Sequence, residues 1–385
     1  MDREEIRFEF EEEAQQGARL KVVGIGGGGS NAVNTMIAKD IAGVDFAVVN
    51  TDAAALAQSR ARIKVQIGSK LTRGLGAGSD PEVGRRAALE DTDKLIEVIE
   101  GADMVFLVAA LGGGTGAGAT PVLASLAKEL DSLTVALVTK PFTFEGGRRL
   151  AQAEAALGEL AATVDTVIVA PNDRLLAIVP RGASVADSLR VADETLSQAV
   201  ECISEIICAP GLIHRDFADV KFTLQGTGYA LLGAASAKGK NAAVEAARRA
   251  LESPLLGDFS VRDARRILIH ISGSNQLGLH DVHEACSAIQ QAAGARDAQI
   301  SFGVSLINTM KDAVKVTVIA KAGPPGEMRA EPARPVEVYA PPPEPPPVFE
   351  PRVEAFRAAA ESHAAVCDEE DLETPAFIRQ GKVLI

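Results

Sequence analysis

Two glycine-rich segments have the composition and spacing expected of a phosphate-binding site. The first reads Gly-Ile-Gly-Gly-Gly-Gly-Ser-Asn over residues 24–31, and the second reads Gly-Gly-Gly-Thr-Gly-Ala-Gly over residues 112–118. Each follows a short apolar run and precedes a helical pattern, so each would direct backbone N–H groups and the positive end of a helix dipole at an anion. Because glycine has no Cβ, the backbone can approach phosphate oxygens closely. Together the two segments predict a phosphate chain held by two separate helix N-termini.

Two alternatives stay open if the first segment is considered alone. It fits the dinucleotide-binding pattern Gly-x-Gly-x-x-Gly, with Asp45 about 20 residues downstream, and a tight turn without a ligand would have the same composition. A nicotinamide-dependent oxidoreductase needs one such segment and leaves residues 112–118 unexplained. The sequence has no Gly-Lys-Ser/Thr, which excludes a P-loop enzyme. Phosphate charge would instead be neutralised by backbone amides, helix dipoles and a divalent cation.

A third glycine-rich turn and several polar residues would complete such a site. Residues 72–78 read Thr-Arg-Gly-Leu-Gly-Ala-Gly, a turn suited to a terminal phosphate. Asn50 and Asp52 lie at the end of another predicted strand, at the level where ligands bind in open α/β sheets. Glu145 and Arg149 offer a carboxylate and a guanidinium to a ribose.

Two side chains further along the chain predict the base of the nucleotide. Asn172 and Asp193 can pair with a purine edge. A carboxylate accepts hydrogen bonds from both N1–H and the 2-amino group of guanine, whereas adenine lacks these donors. The sequence therefore favours guanine over adenine.

The elements that would position these residues alternate between strands and helices. Short β-rich runs separated by helical patterns indicate βαβ units on a parallel sheet, and hence an α/β fold class with a Rossmann-like nucleotide-binding domain. The predicted strands of this domain are residues 20–23, 46–50, 104–110, 133–138 and 166–169. The second glycine segment is expected to precede a helix with Pro121 in its first turn.

A long helix and a second, smaller α/β domain are predicted to follow. Ser184, with Asp187 three residues later, has the pattern of a helix N-cap and begins a helix that reaches Cys208. Strands are expected at residues 220–224, 267–271 and 314–319, and helices near 240–252 and 281–293. Eleven of the 19 prolines lie between Pro324 and Pro351, so this stretch is expected to be a disordered, extended linker.

These patterns divide the chain into six segments. They are a flexible N-terminal arm (1–18), a nucleotide-binding domain (19–183), a central helix (184–209), a C-terminal α/β domain (210–322), a proline-rich linker (323–366) and a C-terminal peptide (367–385). The last of these regains an amphipathic pattern at residues 371–385.

Composition and charge exclude several classes of protein. The net charge is −13 and the pI about 5.0, so nucleic acid is not an expected partner. The four cysteines lack Cys-x-x-Cys spacing, and His280 and His283 lack a third ligand, so no metal site of protein ligands is expected. The acidic N-terminus has no signal-peptide pattern, and the most apolar run, residues 104–111, is too short to cross a bilayer. We expect a soluble, cytoplasmic protein without direct membrane insertion.

Taken together, the motifs resemble those of the FtsZ family, the bacterial relatives of tubulin. The resemblance is carried by residues 24–33, 50–52, 74–78, 112–118, 139–142, 144–146, 171–173 and 216–220, and it runs without evident gaps from about residue 20 to residue 320. It implies a tubulin/FtsZ-like fold and a GTPase that binds GTP or GDP with Mg²⁺, polymerises head to tail with itself and forms the division (Z) ring at midcell. Residues 371–380 resemble the peptide by which the family docks on a membrane-tethering adaptor such as FtsA.

The resemblance also implies nucleotide contacts residue by residue. The GTP-binding positions are Gly27, Gly28, Gly29, Ser30, Asn31, Asn50, Asp52, Gly76, Ala77, Gly78, Gly113, Gly114, Thr115, Gly116, Glu145, Arg149, Asn172, Leu189 and Asp193. Leu189 departs from the family, which commonly stacks a phenylalanine on the guanine, and so loses an aromatic face.

In the family, the loop after the long helix completes the site of the next subunit. Asp216 and Asp219 match the acidic pair of this loop, which is expected to polarise water and coordinate the cation beside the terminal phosphate. His214 stands where the family has asparagine, and histidine differs from an amide in shape and charge. Together with Leu189, this departure leaves a second interpretation open: a divergent, weakly hydrolysing regulator that co-assembles with another filament protein.

Overall fold

The computed structural model describes residues 17–175, 179, 182–208, 212, 216–253, 261, 264–294, 298–307 and 310–322. Most of the predicted arm, the predicted catalytic residue His214, the proline-rich linker and the docking peptide at residues 371–380 lie outside the described residues. The predictions for these segments are therefore not addressed by the fold.

A six-stranded parallel sheet forms the centre of the first domain. Its strands are β1 Leu20–Ile25, β2 Val44–Asn50, β3 Ile63–Gln66, β4 Met104–Ala110, β5 Leu133–Lys140 and β6 Thr166–Pro171, in the order β3-β2-β1-β4-β5-β6. The strands are rich in valine, leucine and isoleucine because helices cover both faces of the sheet. This arrangement confirms the predicted Rossmann-like domain.

Helices from the intervening segments pack on the two faces of this sheet. They are α1 Gly26–Ala38, α2 Ala53–Gln58, α3 Ser69–Thr72, α4 Pro81–Glu90, α5 Thr92–Ile99, α6 Gly114–Glu129, α7 Gly147–Thr163 and α8 Asn172–Leu175. Helices α4 to α7 contribute to the core on one face, and α1 contributes to the core on the other. Pro121 lies well inside α6 and not in its first turn, because the glycine segment itself forms that turn.

The long helix α9 spans Val185–Cys208 and packs on the same face as α1. Its predicted start is confirmed: the Ser184 hydroxyl oxygen accepts a hydrogen bond from the backbone N–H of Asp187 at 3.1 Å. Leu196, Val200 and Ile203 recur at helical spacing and are buried, so one stripe of α9 is fixed against the core.

A four-stranded sheet forms the second domain. Its strands are β7 Ala230–Lys238, β8 Ala264–Gly273, β9 Gln299–Leu306 and β10 Ala313–Ala322, in the order β7-β10-β8-β9. Strand β10 is antiparallel to β7 and β8, whereas β8 and β9 are parallel. Helices α11 Ala242–Leu251 and α12 Leu279–Ala293 share a core with one face of this sheet.

One predicted strand is wrong. Residues 220–224 belong to helix α10, Phe217–Leu224, which begins where the Asp216 carboxylate accepts a hydrogen bond from the backbone N–H of Asp219 at 2.9 Å. Val220 and Leu224 are buried four residues apart, whereas Phe222 between them is 47% exposed. The alternation of apolar residues therefore reflects one helical stripe and one exposed ring, not a strand.

Candidate functional site

The carboxyl ends of β1 and β4 form the candidate site, because the strand order reverses between them. Strands β2 and β3 lie beyond β1 on one side, and β5 and β6 lie beyond β4 on the other. In open α/β sheets such a reversal leaves a crevice in which ligands bind. Helix α1 follows β1 directly, and α6 follows β4 after three residues, so two helix N-termini meet at this crevice.

Both helix N-termini at the crevice lack a side-chain cap. The N-cap residues are Ile25 for α1 and Gly113 for α6, and neither helix has an acidic residue in its first turn. By contrast, Asp52 caps α2 and Asp80 caps α4 through their carboxylates. The first N–H groups of α1 and α6 and their positive dipole ends are therefore available to an anionic ligand.

Several glycines hold the two helix starts in close contact. A Cβ on Gly28 would lie 2.4 Å from the Cβ of Ala110, and a Cβ on Gly116 would lie 2.5 Å from the Ala110 carbonyl oxygen. Gly26 has a φ of +71°, and its Cβ would lie 2.9 Å from the backbone nitrogen of Gly116. Any side chain at these positions would push the two loops apart, so these glycines are required by packing.

Two other glycines have a different environment. A Cβ added to Gly27 or Gly113 would meet no atom within 4 Å. Both residues line a cleft of about 320 Å³. Of the predicted residues, eleven line this cleft: Gly27, Gly28, Ala77, Gly113, Gly114, Thr115, Gly116, Glu145, Arg149, Asn172 and Leu189. Glycine at positions 27 and 113 therefore leaves room for a ligand and is not needed for internal packing.

The side of the cleft near β2 is held by short polar contacts. The hydroxyls of Thr51 and Thr115 are 2.7 Å apart, which ties the end of β2 to the first turn of α6. The Asn50 side-chain oxygen accepts a hydrogen bond from the backbone N–H of Asp52, whereas its buried Nδ2 has no partner among the described residues. A buried amide donor without a partner is costly unless a ligand or water satisfies it.

The predicted ribose residues Glu145 and Arg149 already form an ion pair. Glu145 also accepts a hydrogen bond from the backbone N–H of Phe142 at 2.9 Å. The Glu145 carboxylate therefore already has two partners within the protein. The Arg149 side chain is 48% exposed and has further N–H groups that can donate hydrogen bonds to a ligand.

Asn172 and Leu189 lie at the end of the cleft opposite the threonine contact. The buried Oδ1 of Asn172 has no hydrogen-bond partner in the described part of the chain, and Leu189 is 49% exposed. Asp193 follows Leu189 by one helical turn on α9 but does not itself line the cleft. Burial, with a smaller contribution from Glu194, raises the pKa of Asp193 to about 6. The Asn172 Oδ1 has no partner among the described residues and the Asp193 carboxylate is poorly solvated, so both acceptors suit a ligand that offers N–H donors.

The remaining predicted residues lie behind or beside the cleft. Ser30 is buried and donates to the Gly26 carbonyl at 2.7 Å, and a Cβ on Gly29 would lie 2.3 Å from the Val108 carbonyl oxygen. Asn31 is exposed on α1. Gly76, Gly78, Asn50 and Asp52 are likewise not among the lining residues.

The prediction missed six lining residues: Ile25, Ser79, Ala110, Leu111, Thr139 and Pro141. Thr139 lies near the carboxyl end of β5 and Pro141 just beyond it, so both their strand position and the motif at residues 139–142 could have indicated them. Ser79 has a φ of +60°, an unusual conformation for a residue other than glycine. No sequence pattern at this serine indicated it.

A larger cleft of about 910 Å³ lies between α9 and the second sheet. Its charged lining consists of four acids and three basic residues, and it contains no glycine; the charged residues are Glu194, Glu201, Glu205, Glu252, Lys39, Arg249 and Lys315. Carboxylates would repel a phosphate chain, and no helix N-terminus without a cap opens into this cleft among the described elements. The smaller cleft at the glycine segments is therefore the better candidate.

Known proteins match the chain over both domains. A family model described as the tubulin/FtsZ family GTPase domain matches residues 19–180, and one described as the FtsZ family C-terminal domain matches residues 228–323. An FtsZ dimer structure from M. jannaschii is 38% identical, with a TM-score of 0.74 over 80% of this chain and 89% of the other. The chain belongs to the FtsZ family.

Two more distant structures share the FtsZ fold. CetZ2 from Haloferax volcanii, a GTPγS-bound protofilament, is 24% identical with a TM-score of 0.72 over 89% of this chain and 98% of that one. CetZ1 from the same organism, a GDP-bound monomer, is 24% identical with a TM-score of 0.67 over 78% and 93%. The family assignment makes this chain a tubulin/FtsZ-type GTPase that binds guanine nucleotide.

Asp216 and Asp219, the two acids predicted to be catalytic, do not line the cleft. Asp216 caps α10 and Asp219 lies in the first turn of that helix. Helix α10 is attached to the sheet at the amino ends of its strands. The hydroxyl of Thr166, the first residue of β6, donates a hydrogen bond to the Leu224 carbonyl. The cleft lies at the carboxyl ends of the strands and α10 at an amino end, so one copy does not bring these acids to its own cleft.

The described residues contain no group of three or more histidine, cysteine or acidic side chains arranged to hold a metal ion. None of the helices in the described part of the chain is both long and apolar enough to cross a membrane.

Proposed function

We propose that this FtsZ-family GTPase assembles head to tail and hydrolyses GTP at a site shared by two neighbouring copies. The observation that carries the proposal is the separation of α10 from the cleft across the first sheet. In a head-to-tail assembly, the amino-end surface of one copy faces the carboxyl-end surface of the next. Asp216 and Asp219 of one copy then reach the terminal phosphate bound by its neighbour.

The nucleotide is proposed to lie along the cleft with its phosphates at α1 and α6. Gly27 and Gly113 have room for phosphate oxygens, and both helix starts offer free N–H groups. Arg149 is placed to contact the ribose or phosphates. Asn172 and Asp193 accept hydrogen bonds from guanine, for which their unpartnered or poorly solvated oxygens are suited. The predicted residues that lie behind or beside the cleft would support the lining residues that contact the nucleotide.

The acids on α10 would act on water. The Asp216 carboxylate is oriented by its cap hydrogen bond, and Asp219 lies three residues later in the first turn. Both would orient the attacking water and contribute ligands for Mg²⁺, with further ligands from the phosphates. When bound, Mg²⁺ would help to neutralise the negative charge that develops on GDP, the leaving group.

Replacing Asp219 by asparagine or alanine tests the shared site. Asp219 does not line the cleft of its own chain, so GTP affinity should be nearly unchanged while phosphate release is suppressed. Filaments of the variant should form and persist longer than those of the wild type. Asp216→Asn is a useful companion, because asparagine keeps the helix cap and removes only the charge. A variant that loses GTP affinity along with hydrolysis would contradict the proposal.

Protein concentration provides an independent test. Hydrolysis per subunit should fall sharply below the assembly threshold, and mixing Asp219→Ala with wild type should lower activity in proportion to the interfaces it spoils. Activity per subunit that stays constant down to monomeric concentrations would require a site within one chain. Light scattering and phosphate release, measured together with GTP and Mg²⁺, give both readouts.

Leu189 favours a second candidate function. Its side chain offers no aromatic surface to a base, and it is 49% exposed at the cleft. A weakly hydrolysing regulator that co-assembles with another filament subunit would follow if binding or turnover is impaired. Leu189→Phe raising GTP affinity would support this candidate, and His214→Asn raising turnover would add to it.

In the cell, we propose that the filaments contribute to the division ring at midcell. The predicted segments 19–183, 184–209 and 210–322 would form the assembling unit, with residues 323–366 as a spacer. Residues 371–380 would dock on a membrane-tethering adaptor such as FtsA, with Pro375 and Phe377 as anchors. A fluorescent fusion that forms midcell bands, and loses them when residues 371–380 are removed, would support this placement.

A further inference from the structure

Strand β3 is an edge strand of the first sheet, and its outer side has no strand partner among the described residues. It pairs with β2 on one side, whereas the opposite edge strand, β6, is bridged to Tyr229 through Val167. An edge strand presents outward N–H and C=O groups that can pair with another strand. The side chain of Ile63 on β3 is 40% exposed, which shows that this edge is accessible.

Three basic side chains mark this edge. Arg60, Arg62 and Lys64 are exposed, and none forms an ion pair with another described residue. In a chain of net charge −13, such a run of unpaired basic residues is out of keeping with the overall composition. Charged side chains on an edge strand disfavour its pairing with another sheet. Because these side chains are basic, they favour pairing with a strand that carries acidic residues.

The N-terminal segment has the complementary pattern. Residues 6–11 read Ile-Arg-Phe-Glu-Phe-Glu, so Ile6, Phe8 and Phe10 alternate with charged residues. Residues 1–16 contain seven acidic and two basic side chains. Strict alternation of aromatic or β-branched residues with charged ones favours a strand with one apolar face.

We propose that residues 6–11 of this chain add an antiparallel strand to the free edge of β3. Ile63 and Val65 share one face of β3, and Val65 packs against the core beneath. Phe8 and Phe10 would extend this apolar face. Glu9 and Glu11 then lie on the other face, beside Arg62 and Lys64, where opposite charges pair across strands.

The direction of the added strand follows from the chain connection. The segment leads into β1, whose first residue, Leu20, lies at the amino edge of the sheet. A strand that runs towards this edge is antiparallel to β3, and its end can join β1 without crossing the height of the sheet.

The connection is long enough for this path. Ile63 lies level with Val23, three residues above Leu20, because both pair with Ala47. The new strand would lie three strand spacings from β1, so the path from Leu20 is about 14 Å sideways and 10 Å along. Nine residue steps separate residues 11 and 20, and they reach about 30 Å when extended.

A single tryptophan reports this docking directly, because the chain contains none. In full-length Phe8→Trp, docking beside Ile63 predicts a blue-shifted emission and at least a two-fold lower acrylamide quenching constant than a free peptide of residues 1–16 with the same substitution. Adding Arg62→Glu and Lys64→Glu should return both readouts to those of the peptide. Glu9→Lys and Glu11→Lys, added to the reversed edge, should restore the shielded state.

A matched control separates the edge from a general charge effect. Lys238→Glu with Lys240→Glu reverses two exposed basic residues with the same spacing on the second domain and should leave the tryptophan shielded. Emission equal to that of the peptide in the unreversed protein would overturn the proposal. So would shielding that disappears on dilution, because the segment would then dock on another copy.

Discussion

The pKa of Asp193 makes a strong pH dependence of nucleotide affinity testable. In the empty protein burial raises this pKa to about 6. In the proposed binding mode, only the carboxylate form of Asp193 accepts both guanine N–H groups, so we expect the deprotonated form to bind more tightly. If the bound state holds it fully ionised, the dissociation constant for GDP should rise about 10-fold between pH 7 and pH 5.

The same group has the opposite effect on the stability of the empty protein. A raised pKa means that the folded state holds the proton more tightly than the unfolded chain between pH 4 and pH 6. The contribution of Asp193 to stability is therefore present at low pH and is lost as the pH rises through this interval. Acid should strengthen the fold at this residue while weakening nucleotide binding.

Isothermal titration with GDP from pH 5 to pH 8, in buffers of different ionisation enthalpy, measures both affinity and proton release. About half a proton should be released per GDP at pH 6. The Asp193→Asn side chain has nearly the same shape but cannot titrate. Any pH dependence that remains in this variant comes from the ionisation of the GDP phosphates or of other groups, so the variant serves as the control. It should bind GDP more weakly, by about 1–3 kcal/mol, with a flatter pH profile. Identical profiles for wild type and Asp193→Asn would refute the reasoning, and equal affinity for ATP and GTP would refute guanine selection by this residue.

Three further predictions concern glycines, a buried histidine and the C-terminal segment. Gly28→Ala should lower stability by about 1–3 kcal/mol in urea unfolding, because its methyl would lie 2.4 Å from Ala110, whereas Gly27→Ala should leave stability intact and weaken GDP binding. Burial lowers the pKa of His270 to about 4, so stability should fall by up to about 3 kcal/mol as pH drops from 6.5 to 4; His270→Leu showing the same loss would contradict this. Truncation after residue 322 should preserve GTP-dependent sedimentation and abolish adaptor-mediated recruitment to membranes; loss of GTP binding would show that the domain boundary is wrong.

The sequence predicted five of the six strands of the first domain because these strands are largely buried, whereas the short and partly exposed β3 was missed. Strand β4 was predicted with its observed bounds, since seven consecutive apolar residues are needed where helices cover both faces. Strand β7 was missed because its sequence, rich in alanine, glycine and serine, has low strand propensity. Its conformation is imposed by antiparallel pairing with β10, which no local pattern reveals. Helix α10 was mistaken for a strand because its N-cap acid was interpreted only as a catalytic residue.

The glycine segments illustrate where site prediction reached its limit. Their composition indicated phosphate binding, but adjacent glycines have different reasons for lacking a side chain. Gly28 is in contact with Ala110 on β4, while Gly27 beside it faces open space. This distinction depends on how two loops distant in sequence approach each other, so it emerges only from the tertiary structure.

Helix α9 is a rigid connection between the nucleotide cleft and the segment that carries the proposed catalytic acids. Leu189 near its start lines the cleft, and its last residue, Cys208, precedes the segment that leads to α10. Its 24 residues span about 36 Å, and a helix neither stretches nor shortens appreciably under load. In the proposed head-to-tail filament, the length of this helix then contributes to the spacing between successive reaction centres. We expect that inserting or deleting one turn of α9, a change of about 5 Å, would alter the subunit spacing of the polymer. This spacing is a property that no single subunit possesses.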